Sequence, residues 1–109
     1  VLNGNTFRNV TQHGVNVLNS NNVQILGNTI NNVGWDGVIL SNVSTGLVDG
    51  NTIDNVSTDS GIYHAAIRSN GSSNITISNN DIGLSGNGAD WGVGLSQSNN
   101  VNVTGNEIY

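Results

Sequence analysis

The chain has 109 residues, a formal charge of −5 and an isoelectric point near 4.3, with two Lys+Arg in total and no Cys, Pro or Met. That length makes one domain, spanning 1–109, and the charge balance argues against nucleic acid or an anionic membrane surface as a partner. Without cysteine neither a disulfide nor a zinc–thiolate site can form, and no apolar run reaches the length of a membrane span or a signal core.

Asparagine makes up roughly a fifth of the residues, and its placement is periodic. Leu26-Gly27-Asn28-Thr29-Ile30 recurs as Gly4-Asn5-Thr6-Phe7, Gly50-Asn51-Thr52-Ile53, Asn79-Asn80-Asp81-Ile82 and Gly105-Asn106-Glu107-Ile108. Apolar residues fall three positions before each repeated asparagine (Leu2, Ile25, Val48, Ile77, Val103) and two after it (Phe7, Ile30, Ile53, Ile82, Ile108). Short alternating strands rich in β-branched residues, ending at a fixed turn, predict stacked coils. In such a stack Asn5, Asn28, Asn51, Asn80 and Asn106 form an asparagine ladder, each expected to occupy the left-handed conformation at the bend. Asn9, Asn32 and Asn55 predict a second ladder that lapses at Leu84.

In chain order, the first coil opens on strand Val1–Gly4, passes a loop at Thr11-Gln12-His13, and runs on as Gly14-Val15-Asn16-Val17-Leu18 with Val15 and Val17 inward. The second repeats this with loop Gly34-Trp35-Asp36, strand Gly37-Val38-Ile39-Leu40 and a turn from Ser41 to Thr45. The third inserts a loop from Ser57 to Tyr63. Aligning His64–Arg68 with Gly37–Ser41 then points Ala65 and Ile67 inward and His64, Ala66 and Arg68 outward, and leaves the turn 69–74 two residues longer than its counterparts. The fourth carries a loop from Gly86 to Trp91 before Gly92-Val93-Gly94-Leu95, and the fifth ends at Tyr109.

The repeated Val-x-Ile-x-Gly-Asn-Thr-Ile and Gly-Val-x-Leu phrases resemble the right-handed parallel β-helix superfamily over the whole chain. That group includes pectate-lyase-like enzymes, mannuronan epimerases, phage tailspikes and surface proteins. The resemblance implies an all-β solenoid of about four coils and, where members bind sugar, a site on the sheet carrying the Gly-Val-x-Leu strands. Many functions share this scaffold.

The unusual residues collect on that sheet and its loops: His13, Trp35, Asp36, Asp59, Tyr63, His64, Arg68, Asp90 and Trp91. Indole faces stack on sugar rings and carboxylates accept hydroxyl hydrogen bonds, which makes Trp35, Asp36, Asp59, Asp90 and Trp91 the carbohydrate-binding candidates. Tyr63, His64 and Arg68 are the residue types needed to take a proton beside a uronate carboxylate, and are the catalytic candidates. The Asp-Pro-His motif of the epimerases is not present, since the chain has no proline. No metal or cofactor is expected. Among six Asn-x-Ser/Thr sequons, Asn42 and Asn70 are expected to lie in exposed turns and are the glycosylation candidates.

A chain without an initiator methionine, and without cap helices over Leu2, Phe7, Val103 and Ile108, is expected to be an excerpt of a longer β-helix or to pair with other copies through its end coils. The reading from sequence is an extracellular or cell-surface solenoid with a structural or adhesive role, assembling end to end into filaments. The alternative is a lyase, C5-epimerase or hydrolase acting on polysaccharide, or a carbohydrate-binding fragment.

Overall fold

Strands in this chain are short because the sequence interrupts them at fixed intervals with residues that accept positive φ. The computed structural model describes residues 1–59, 64–84 and 90–109. Among these there are fourteen strands and no helix. The first coil contributes β1 (Leu2–Asn3), β2 (Thr6–Val10) and β3 (Val15–Leu18). The second contributes β4 (Asn21–Leu26), β5 (Thr29–Val33) and β6 (Val38–Ser41). β7 (Ser44–Asp49), β8 (Thr52–Asp54) and β9 (His64–Asn70) make the third. The fourth is β10 (Ser73–Ser78), β11 (Asp81–Gly83) and β12 (Asp90–Ser96), and β13 (Asn99–Thr104) and β14 (Glu107–Ile108) follow.

Every pairing is parallel and joins one coil to the next, giving three sheets: β1-β4-β7-β10-β13, β14-β11-β8-β5-β2 and β12-β9-β6-β3. The chain is a parallel β-solenoid of about four coils. Between the sheets lies a continuous aliphatic core, from Ile25, Ile30, Val33, Val38 and Leu40 through Ile53 and Ile67 to Ile75, Ile77 and Ile82. Stacking like on like removes these side chains from water coil by coil, at roughly 1.5–3 kcal/mol for each one fully buried.

The asparagine ladder is present and fully bonded. Asn28 Oδ1 accepts from the main chain of Asn5 at 2.9 Å and from its amide at 3.2 Å. Asn51 receives Asn28 in the same way at 2.9 and 3.1 Å, and Asn106 receives Asn80 at 3.0 and 2.9 Å. From Asn28 onward each amide also donates to a carbonyl of the preceding coil, as from Asn51 to Ile25 at 2.9 Å, whereas Asn5 donates to Asn3 O in its own coil.

One expectation about this turn is corrected. The left-handed residue is the one before each ladder asparagine (Gly4, Gly27, Gly50, Asn79 and Gly105), not the asparagine itself. Glycine takes that conformation without a Cβ penalty, leaving the asparagine free to use both ends of its amide. Asparagines with positive φ mark the other corners instead: Asn9, Asn32 and Asn55; Asn19 and Asn42; Asn22, Asn74 and Asn100. Asn32 donates to Asn9 at 2.8 Å and Asn55 to Asn32 at 3.2 Å, so the second ladder exists. Two further amide stacks, Asn42 on Asn19 at 2.8 Å and Asn100 on Asn74, had not been read from the sequence.

The third coil is also corrected. Val38 pairs with Ile67, Ile39 with Arg68 and Ser41 with Asn70, so the expected register is displaced by two residues. Ala66, not His64, occupies the place of Gly37, whose main-chain N–H donates to Ala65 O at 3.2 Å. Ala66 and Ile67 both join the core, and Ala65 lies instead on the outer face. The reason is a column of small residues, Gly14, Gly37, Ala66 and Gly92, pointing inward where each coil enters the third sheet. A Cβ on Gly14 would lie 2.8 Å from Ile30 Cγ2, and one on Gly37 2.8 Å from Ile53 Cγ2. The turn 71–72 is no longer than its counterpart, because Ser41 with Asn70 and Ser44 with Ser73 keep the same offset across it. All of the extra length lies before His64.

Candidate functional site

The displaced register brings the unusual residues together. On the outer face of the third sheet, Trp91 pairs with Ala65 and Gly94 with Arg68. One coil below Ala65 is Asp36, and one coil below Asp36 is His13, as the bonds from Gly37 to Ala65 and from Gly14 to Asp36 at 3.0 Å require. A parallel column holds Trp35 beneath His64. The loops that carry His13, Trp35 and Asp36 enter the sheet immediately before the small-residue column, which fixes their height in the stack.

Asp36 is the centre of the cluster and only 1% exposed. Its Oδ1 accepts from the main chain of Ala65 at 2.7 Å and lies 3.1 Å from Arg68 Nε. Its Oδ2 lies 3.2 Å from His13 Nδ1 and 3.3 Å from His64 Nδ1. One carboxylate therefore serves a guanidinium and two imidazoles. For an imidazole Nδ1 to approach a carboxylate favourably it must carry the proton, which makes Nε2 the acceptor in the neutral ring. Among the described residues, His64 Nε2 is buried and has no hydrogen-bond partner, and His13 Nδ1 approaches Asp36 at ion-pair distance without hydrogen-bond geometry.

Trp35 joins the rings. It stacks on His64 with centroids 5.6 Å apart and planes 10° from parallel, and meets His13 edge-on at 5.1 Å. Its indole N–H donates to Asp59 Oδ2 at 3.4 Å. Burial, with the positive charges of His64 and Arg68, lowers the pKa of His13 from its ordinary value, although Asp36 pulls the other way.

Trp91 belongs to β12, the strand paired with β9. Its indole lies over Gly94, where an added Cβ would come within 3.3 Å of its six-membered ring and 3.4 Å of Ala65 Cβ. The ring is 51% exposed. Gly94 fills the position held by Asn16, Ile39 and Arg68 in the other coils, and so opens a shelf for the indole beside Arg68.

Of the expected sugar-binding residues, Trp35, Asp36 and Asp59 come together, and Trp91 lies two coils from Trp35 in the column of Ala65. Asp90 pairs with His64 through the backbone of β12. Among the catalytic candidates His64 and Arg68 meet at Asp36, and His64 is buried rather than outward-facing. Tyr63 lies outside the described residues. Asn42 is exposed in a turn with its amide donating to Asn19, and Asn70 is exposed at the end of β9 rather than in a turn. Two participants had no assigned role from sequence: His13 as a partner of Asp36, and Gly94 as the floor under Trp91. The sequence signal for both was position, one residue before Gly14 and the variable site of Gly-Val-x-Leu.

Comparison with known families now adds one result. The family described as "Right handed beta helix region" matches residues 1–109. The chain belongs to the right-handed β-helix family. No curated protein and no solved structure matches it significantly. Membership fixes the hand of the solenoid and leaves the chemistry of the third sheet to be argued from its own residues.

Proposed function

We propose that this β-helix is an extracellular or cell-surface module whose third sheet binds a polysaccharide, giving the solenoid an adhesive role. The observation that carries this reading is Trp91: a half-exposed indole laid along the sheet over Gly94, with the Arg68 guanidinium in the neighbouring strand. A flat apolar ring beside a fixed donor is the pairing that a pyranose needs, since its C–H face stacks and its hydroxyls or carboxylate take the hydrogen bonds. Asp59 extends the polar surface, bordering an open notch of about 400 Å³ with Asn9, Thr11, Asn32 and Thr58. Composition supports the location: lysine is lacking and small polar residues abound.

Binding is favoured over catalysis by the state of the carboxylate. Asp36 is 1% exposed and already engaged by Arg68, His13 and His64, an arrangement suited to holding side chains in place.

The test is calorimetric titration with neutral and acidic oligosaccharides (cello-, manno-, chito- and galacturono-series). The expected result is saturable binding to at least one series, weakened tenfold or more by Trp91→Ala, a loss of about 1.4 kcal/mol, and less by Trp91→Phe. Absence of binding across the panel, or affinity indifferent to Trp91→Ala, overturns the reading.

A further inference from the structure

The cluster at Asp36 sets one guanidinium and two imidazoles against a single carboxylate. Arg68 Nε, 3.1 Å from Oδ1, supplies a permanent positive charge that balances Asp36. His13 and His64 share the other oxygen, at 3.2 and 3.3 Å, with their ring centroids 6.4 Å apart. A proton added to His13 therefore places a second positive charge against a carboxylate already paired, close to a guanidinium and another imidazole. The desolvation of His13, with the charges of His64 and Arg68, opposes that proton and outweighs the pull of Asp36.

We propose that His13 is a proton-operated latch on this site: neutral, it closes over the Asp36 carboxylate and the edge of Trp35; protonated, it swings to solvent and leaves Trp35 unclamped. The geometry allows the motion. His13 sits in the short loop between β2 and β3, and its side chain is already 16% exposed. His64, by contrast, is 8% exposed, lies within β9 and is stacked on Trp35. Among the described residues, the titratable and charged groups facing His13 are Asp36 from the next coil and His64 and Arg68 from β9. Asp59 acts through the Trp35 indole, and Asp90 on β12 is the backbone neighbour of His64.

Trp35 is the output of the latch. Neutral His13 holds one edge of the indole while His64 holds its face and Asp59 its N–H. Removing the edge partner frees the ring to rock about the other two, and a surface that must be ordered on binding binds more weakly. The consequence for affinity rests on the saccharide reading; the motion itself does not.

Two measurements separate the two. In isotopically labelled protein, the His13 ring resonances and the Trp35 indole N–H are followed by NMR from pH 8 to pH 4.5. The expectation is that His13 titrates below about 6.5, the ordinary histidine value, that the Trp35 N–H moves with the same midpoint, and that His13→Gln removes that transition. A Trp35 N–H that stays still while His13 titrates, or one that still moves in His13→Gln, overturns the latch. In parallel, the best oligosaccharide of the panel is titrated at pH 7.5 and pH 5.0. Affinity is expected to fall threefold or more in the wild type and to stay level in His13→Gln. A level wild-type affinity beside a moving indole overturns the regulatory role. If no oligosaccharide binds at either pH, the saccharide reading and its regulation fall, and the latch is judged by the indole shift.

Discussion

Asn51 gives two hydrogen bonds to a single oxygen of Asn80: its main-chain N–H and its side-chain amide both reach Oδ1 at 2.9 Å. Its own Oδ1 receives the matching pair from Asn28, and its remaining amide proton goes to Ile25 O. Alanine at this position would leave two Asn28 donors without an acceptor, in a place only 1% exposed. Each such donor costs about 1–3 kcal/mol. Asn51→Ala is therefore expected to lower the denaturant midpoint sharply, whereas Asn5→Ala, at an exposed rung, has a much smaller effect. Equal midpoints for the two variants would contradict a cooperative buried ladder.

Gly37 tests the register. A Cβ there would lie 2.6 Å from Ala66 O and 2.8 Å from Ile53 Cγ2, both closer than packed atoms sit. Gly37→Ala is expected to destabilise by about 1–3 kcal/mol through overpacking, read in the same denaturant titration. A neutral result would mean that Ala66 does not lie over Gly37.

Much of this architecture was legible before any coordinates. Ladder spacing, aliphatic columns and the second ladder follow from positions such as Asn28, Ile30 and Asn32, because a stacked coil repeats its side-chain environment at every layer. The third coil was misplaced for a physical reason. Alternation was carried straight through His64–Arg68, whereas Ala66 and Ile67 are both inward, so strict period-two counting slips there. The small-residue column Gly14, Gly37, Ala66 and Gly92 carried the correct register, since alanine is the nearest substitute for glycine where a core leaves little room. Clustering of polar residues was likewise readable, but not that a buried Asp36 would organise it. That depends on the register that lays the Ala65 N–H against Asp36, visible only once the coils are stacked.

Removing the shared carboxylate should loosen the site. Asp36→Asn keeps the shape and loses the charge that faces Arg68, His13 and His64. Because Arg68 and His13 can turn to solvent, the expected cost is about 1–3 kcal/mol rather than that of an unpaired charge in a closed core. Asp36 is the group that raises the His13 pKa, so His13 in Asp36→Asn should titrate lower still. An upward move in the histidine NMR titration would contradict the assigned contact.

Acid stability carries a definite sign. The folded pKa of His13 lies below its unfolded value of about 6.5, so between the two the unfolded chain binds the proton and the folded chain does not. The stability associated with neutral His13 is present above the unfolded value and declines as pH falls through it, levelling off below the folded value. The denaturant midpoint should therefore fall from pH 7 to pH 5, and the His13→Gln variant should lose less over that interval. A steeper decline in the variant would reverse the assignment.

The most direct test of the account maps where a saccharide lands. Backbone and indole NMR shifts are recorded during titration with the tightest-binding oligosaccharide of the panel. The predicted footprint is the outer face of the third sheet, with the largest shifts at the Trp91 indole N–H, Arg68 and Gly94, and smaller ones at Trp35 and Asp59. Shifts confined to the first or second sheet, or none at Trp91 at saturation, would contradict the claim that this face is the binding surface.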